Sequence, residues 1–310
     1  MGEILYARDI YGKTLVELGR LNPNILVLDA DLSGSTRTAI FGKEFPERFF
    51  NLGVAEQNMM AVAAGLASCR KIVFVSTFAM FATARALDQI RNTICYNNLN
   101  VKIVATHSGI TVGEDGSSHQ ALEDIAFLRA IPNIRIVVPS DGPETKDAVS
   151  AAYETNGPFY IRLGRAKIPT IENKKKFVLG KGYILEEGRN LAIVACGIMV
   201  NQALLANQAL KKKGLSCTVV NIHTVKPIDR DLIIDLAKRH KSLLVCEEHQ
   251  SIGGLYSAVC EVLATNYPTR IESIGVNDRF GQSGSPQELM DSYGLSNTYI
   301  VKKAEKLLQD

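Results

Sequence analysis

No stretch of this 310-residue sequence approaches the ~18 consecutive apolar residues a membrane-spanning helix needs, and the best candidate, Leu191 to Val200, reads as a buried strand. The opening MGEILYARDI lacks the basic-then-apolar order of a secretory leader, and Tyr6 stands where a myristoylation signal wants Ser or Thr. The six cysteines (Cys69, Cys95, Cys196, Cys217, Cys246, Cys260) include no CxxC pair. That excludes the common zinc and redox spacings and suggests small core residues in a reducing compartment. Charge of one sign is also scarce. Thirty-five Lys+Arg against thirty-two Asp+Glu leave +3, too little and too dispersed to indicate nucleic acid or an anionic membrane. The runs Lys174 to Lys176 and Lys211 to Lys213 read as solvated surface. No short repeat or low-complexity tract is present. The composition, 46% hydrophobic and 22% charged, is that of a globular protein, and the length exceeds what one core usually serves. The expectation is a cytoplasmic, two-domain protein.

Short β-rich runs alternate with longer amphipathic stretches throughout. Strands are expected at Ile25 to Leu28, Arg48 to Asn51, Lys71 to Val75, Val101 to Thr106, Ile134 to Val138 and Phe159 to Leu163. Helical patterns lie between them, as at Ala7 to Gly19, Ala55 to Ala67 and Thr77 to Tyr96. The second half repeats the scheme with Leu191 to Ala195, Ser216 to Asn221, Ser242 to Cys246 and Arg270 to Ser273. Continuous Val/Ile runs separated by helices indicate strands buried on both faces, hence an α/β fold with mostly parallel sheets. Pro169, the charged stretch Glu172 to Lys176 and the glycines at 180, 182 and 188 place a boundary between residues 170 and 190. The domains are then 1–175 and 185–310. In such sheets ligands bind at the carboxyl ends of strands.

Three clusters fall at those ends. In GVAEQNMMAVAAGLAS, Glu56 opens a helix rich in small residues. It is either an ordinary first-turn carboxylate or one buried in an apolar contact surface, where burial raises its pKa and lets it donate a proton. In STFAMFATARALDQIRNTI, Ser76 or Thr77 is placed to cap a helix, and Phe78 and Phe81 share a face of its opening turns. They are either core or a wall for a flat ring. In VATHSGITVGEDGSSHQALEDI, a strand ends at Thr106-His107 and a loop with Gly109, Gly113 and Gly116 carries Glu114, Asp115 and His119. Glycines allow close backbone approach, and polar loop residues at strand ends are where function concentrates. The spacing matches no standard zinc pattern, so a hydrogen-bonding pocket for a polyhydroxylated or phosphorylated substrate suits it better. Arg8, Ser35 (in DADLSGST, with Asp31) and Arg165 are each weak alone, but at one rim of a parallel sheet they would make an anion site. His223 and His249 are given no catalytic role, and Gly281-Gln282-Ser283-Gly284 lacks the order of a phosphate loop.

GVAEQNM, STFAMF, THSGITVGEDGSSHQ, IPNIRIVVPSD, RLGRAKIP, TVKPID, EEHQSIGGL and FGQSG occur in the order found in transketolases. The chain as a whole resembles the second half of such an enzyme, the C-terminal subunit of a split transketolase. The resemblance implies a pyrimidine-binding domain with a parallel sheet, followed by a smaller α/β transketolase C-terminal domain. It implies thiamine diphosphate as cofactor, with Glu56 hydrogen-bonded to the aminopyrimidine so that its imino tautomer activates the thiazolium carbon. Phe78 and Phe81 would pack on that ring, with Asp31 beside the cofactor. Arg8, Ser35, His107 and Arg165 would grip the sugar phosphate. Asp115 would read the donor's hydroxyl configuration, and His119 would lie near the carbonyl and transferred hydroxyls. Ala84 stands where many members carry a third aromatic. The family's GDG…Asn element, which holds a divalent cation (Mg or Ca) on the diphosphate, is missing: Ser140-Asp141-Gly142 lacks the first Gly, and Asn156 and Asn173 stand at the wrong distances. A separate N-terminal transketolase subunit is therefore expected to supply it, two copies of each chain assembling on sugar phosphates. The alternatives are a 2-oxo acid dehydrogenase beta subunit, which would lack the GEDGxxH loop, and a 1-deoxyxylulose 5-phosphate synthase fragment, which has Asp-Arg in place of Thr106-His107. A non-catalytic scaffold is disfavoured because it needs none of Glu56, His107, Asp115 and His119.

Overall fold

A computed structural model describes residues 2–172 and 175–309. Asn173 and Lys174, which fall in the lysine run and the asparagine comparison above, lie outside the described residues. The first half contributes β1 (Ile4–Tyr6), β2 (Ile25–Asp29), β3 (Phe49–Asn51), β4 (Ile72–Ser76), β5 (Val101–Ser108), β6 (Arg135–Val137), β7 (Phe159–Gly164) and β8 (Lys167–Pro169). The second half contributes β9 (Tyr183–Glu186), β10 (Ala192–Ala195), β11 (Thr218–Asn221), β12 (Thr224–Lys226), β13 (Ser242–Gln250) and β14 (Arg270–Val276). The larger sheet runs β12-β6-β7-β5-β4-β2-β3 and the smaller β14-β13-β10-β11-β9. Each is parallel except for one antiparallel edge strand, β12 in the first and β9 in the second. The two-domain α/β architecture with mostly parallel sheets is the expected one.

Every residue of β2 and β5 is buried, because helices cover both faces of the large sheet. Ala7–Leu21 packs Tyr11 and Leu15 on one face with Ala148 and Val149 of the helix Gly142–Glu154. Glu56–Ser68 packs Met60 and Ala64 on the other, leaving Ala61 and Gly65 exposed on its outer side. All ten expected strands form. The four that sequence reading missed, β1, β8, β9 and β12, are three or four residues long and antiparallel. Thr224–Lys226 comes from the second half of the chain yet pairs with β6 of the large sheet. One apolar cluster also joins Leu28, Met60 and Val75 to Val194, Val220 and Val245.

Four expectations need correction. The stretch Thr77 to Tyr96 is not a regular helix but contains two π-helical turns, Phe81–Arg85 and Gln89–Cys95. Its apolar residues satisfy either period over so short a span, and the wide turns follow from i→i−5 bonds such as Tyr96 N–H to Arg91 O at 3.0 Å. Neither Ser76 nor Thr77 caps it: the Ser76 hydroxyl shares a 2.8 Å hydrogen bond with Tyr11, and the buried Thr77 hydroxyl has no partner among the described residues. The run Leu191 to Val200 is a strand only as far as Ala195; Gly197, at φ +56°, turns the chain into the helix Met199–Lys211. All six cysteines are free, but Cys69 is exposed and Cys260 half-buried, so only four are core residues. No helix among the described residues is long and apolar enough to cross a membrane.

Candidate active site

Glu56 opens its helix behind β3, only 2% exposed, and Arg85 Nη1 donates to its two carboxylate oxygens at 2.8 and 2.9 Å. The Arg85 guanidinium also lies over the Phe81 ring, 4.5 Å from its centroid. Phe78 and Phe81 stack 6.0 Å apart at 21°. The His107 ring lies on Phe78 at 3.8 Å, and His119 meets Phe81 edge-on at 5.2 Å. The wide turn beginning at Phe81 places Arg85 back over that ring and onto Glu56. Four rings from two strand ends thus form one wall with a buried carboxylate at its margin.

His107 sits at φ +56°, a conformation uncommon outside glycine, at the end of β5. It is buried, and its Nδ1 shares a 2.9 Å hydrogen bond with the Thr106 hydroxyl. Burial, then the charges of Arg8 and Arg165, push its pKa down to about 3, so the ring is neutral. Beyond it lies an open cleft of about 380 Å³ whose lining includes Tyr6, Arg8, Thr111, Glu114, Arg165 and Lys167. Arg8 Nη1 donates to the Ser35 carbonyl at 3.2 Å, while its buried Nε has no partner among the described residues. Burial, followed by the neighbouring Arg37, holds its pKa below the usual arginine range. Arg165 Nη1 donates to Glu114 and to the Val112 carbonyl, both at 2.5 Å. Two arginines, one with an orphaned buried donor, make a cleft suited to an anion.

Glu56, Phe78, Phe81, His107 and His119 are therefore brought together, with Arg8, Ser35 and Arg165 grouped next to His107. Asp115 stands exposed on the loop between them, before Gly116 at φ +79°. Asp31 is at the same sheet end but is committed elsewhere: its N–H donates to Asn51 Oδ1 and its carboxylate accepts from Asn51 Nδ2, both at 3.0 Å. Its neighbour Asp29, passed over in the sequence, is fully buried and accepts from Thr36, Thr38 and the Leu32 N–H. Sequence reading also missed Arg85, whose only signal is its position four residues after Phe81. It likewise missed contacts from the second half of the chain, where Gln282 O and Glu248 meet the loop.

The donor set fits an aminopyrimidine: a flat aromatic wall with a buried carboxylate beside it. For the diphosphate end, no group of three metal-ligating side chains is assembled among the described residues. Asp141 instead caps the helix Gly142–Glu154, accepting from Glu144 N–H at 2.9 Å, and also receives the Ile171 N–H at 2.8 Å.

The sequence pattern of the transketolase pyrimidine-binding domain matches residues 5–170, and that of the transketolase C-terminal domain matches 180–300. A Methanocaldococcus jannaschii chain provisionally named a transketolase C-terminal section is 52% identical over 94% of this chain and 93% of its own length. A 6-deoxy-6-sulfo-D-fructose transketolase subunit from a Clostridium species is 37% identical over 98% of this chain and 95% of its own. Among solved structures, one described as a split gene transketolase, inactive beta4 tetramer, superposes with a TM-score of 0.91 at 50% identity, covering 98% of this chain and 99% of that one. Against longer curated relatives the chain spans only about half their length. By both its domains and its nearly full-length relatives, the chain belongs to the transketolase family.

Proposed function

We propose that this chain is the C-terminal subunit of a two-chain, thiamine diphosphate-dependent transketolase that moves a two-carbon ketol unit from a ketose phosphate to an aldose phosphate. The observation that carries the reading is the continuity of the ring wall. It runs from the buried carboxylate of Glu56 at one end to the Arg8–Arg165 cleft at the other. A carboxylate, a flat aromatic surface and an anion cleft in that order match a heterocycle joined to a phosphorylated sugar.

When bound, thiamine diphosphate supplies the carbon nucleophile of the reaction. Glu56 would hold a proton at an aminopyrimidine nitrogen, with Phe78 and Phe81 fixing the ring plane and excluding water. His107, neutral at physiological pH, would accept the Thr106 hydroxyl at Nδ1 and donate from Nε2 to the substrate. Arg8 and Arg165 would bind the phosphate, Arg165 exchanging its contact with Glu114 for the stronger anion. His119 would serve the hydroxyls nearest the reacting carbon, and Asp115 the donor's hydroxyl configuration. The diphosphate and its divalent cation would be held by an N-terminal partner subunit, two copies of each chain forming the enzyme.

The test is to assay xylulose 5-phosphate as donor with the purified chain alone, with a candidate N-terminal subunit, and with pyruvate substituted as donor. Transfer only in the mixture, and only from the ketose phosphate, is expected. Turnover by the isolated chain would refute the two-chain reading, and preference for pyruvate would favour the oxo acid or deoxyxylulose rivals.

A further inference from the structure

We infer that the C-terminal domain sets the conformation of the substrate loop, and that Glu248 is the positioning residue through which it does so. Glu248 lies on β13 of the second sheet, 5% exposed, yet its carboxylate reaches the other domain and accepts the Thr111 backbone N–H at 2.6 Å. Thr111 lies four residues beyond His107 and lines the Arg8–Arg165 cleft. Between them Gly109 sits at φ +79° directly against the same carboxylate: a Cβ there would stand 2.3 Å from the Glu248 carboxyl carbon. The loop backbone is folded over this one side chain.

A buried carboxylate must be compensated, and the compensation here is shared across the domain boundary. Arg162 of β7 donates Nη2 to the Glu248 backbone carbonyl at 3.0 Å and Nε to Asp124 at 2.7 Å, so it offsets the Glu248 carboxylate by the nearness of its charge and not by a direct bond. Tyr160 donates to the same Asp124 oxygen at 2.5 Å. The far end of the loop is held by the same domain. Gln120 Nε2 donates to both Ile110 O and Gln282 O, at 3.1 and 3.0 Å, and Gly281 approaches so closely that a Cβ would lie 1.8 Å from Gln120 Oε1. The loop that carries His107, Asp115 and His119 is therefore bracketed by Glu248 at its start and by residues 281–283 at its end. An interface serving only adhesion would not need a carboxylate aimed at a loop amide. One serving to fix His107 relative to Arg165 would.

The loop claim stands on geometry alone, whereas its consequence for substrate rests on the transketolase reading. Hydrogen–deuterium exchange of residues 107–116 tests the first in the chain as it exists. Glu248→Ala and Glu248→Asp both withdraw the acceptor from Thr111, and each is expected to speed loop exchange by ~10-fold or more, the loss of a charged hydrogen bond. Glu248→Gln keeps an acceptor in place and is expected to restore protection to within about threefold of the parent. Unchanged exchange in whichever of the first two variants is soluble, or failure of glutamine to rescue, overturns the proposal. In the assembled enzyme, Glu248→Ala should raise KM for the ketose phosphate ~10-fold while thiamine diphosphate affinity changes less than about twofold. Loosened exchange in a complex that transfers no ketol unit would uphold the loop claim and refute the transketolase reading, so the two failures are distinguishable.

Discussion

Arg85 donates to both carboxylate oxygens of Glu56 and at the same time covers the ring of Phe81. The pair is lopsided: the Glu56 side chain is 1% exposed and that of Arg85 47%. Without Arg85, the described hydrogen bonds leave a buried carboxylate uncompensated. Because the cation is half in solvent, the full penalty of breaking a buried pair does not apply. Arg85→Ala is expected to destabilise the isolated chain by about 1–2 kcal/mol, read as a lower urea midpoint at unchanged slope. An unchanged midpoint would mean the ion pair carries no weight.

The same contact bears on activity. A heterocycle hydrogen-bonded to Glu56 and stacked on Phe81 needs the two surfaces that the guanidinium now occupies. Glu56→Gln keeps the shape but removes the ability to take and return a proton. In the two-chain complex it should cut ketol transfer by ~10²–10⁴-fold, the range for a lost acid–base group, with the far-ultraviolet circular dichroism unchanged. A variant retaining near-parental turnover would remove Glu56 from the mechanism.

These pairings mark where sequence reading stops. Most of the ten expected strands were legible because Val/Ile runs such as Val101–Ser108 are buried on both faces and leave an unbroken signature, although the edge strand Phe49–Asn51 is largely exposed. Thr224–Lys226 was not, since three residues with no alternation become a strand only by meeting the edge of β6. Phe78, Phe81, His107 and His119 announce themselves as chemistry-bearing residues at strand ends. Arg85 does not: on an ordinary helix it reads as a surface arginine, and only the π turn and the fold of Glu56's helix bring the two together. Glu248 is hidden for the opposite reason, sitting within a buried strand while its partner amide lies 137 residues away.

His107 gives the fold a pH dependence whose sign follows from its surroundings. Its pKa in the folded chain is about 3, against ~6.5 in the unfolded chain. Between those values the unfolded state binds the extra proton, so this site's contribution is complete above the unfolded pKa and is lost as pH falls. The slope is about 1.4 kcal/mol per pH unit for one proton. His107→Gln forfeits the stacking on Phe78 and lowers stability at neutral pH, by an amount that shrinks as the pH falls. It should also flatten the slope of unfolding free energy from about pH 6 to pH 4 by roughly that amount. Parallel curves for parent and variant would show that His107 protonates freely in the folded protein.

On the proposed function, the two arginines should separate phosphate recognition from the chemistry. Arg8 has an unpartnered buried Nε, and Arg165 is held by an exposed glutamate and one carbonyl, so both have donors to redirect toward an anion. Each charged hydrogen bond lost should be worth about 1.5–3 kcal/mol, or ~10–100-fold in KM for a phosphorylated donor. A ketose without phosphate makes no such contact, and its kcat/KM should be nearly unchanged in Arg8→Ala or Arg165→Ala. Arg165→Lys should recover only part of the loss, because an ammonium keeps the charge but not the planar fork. Equal losses for phosphorylated and unphosphorylated donors would mean that the arginines maintain the loop, not the substrate, and the anion cleft would have to be assigned to another group.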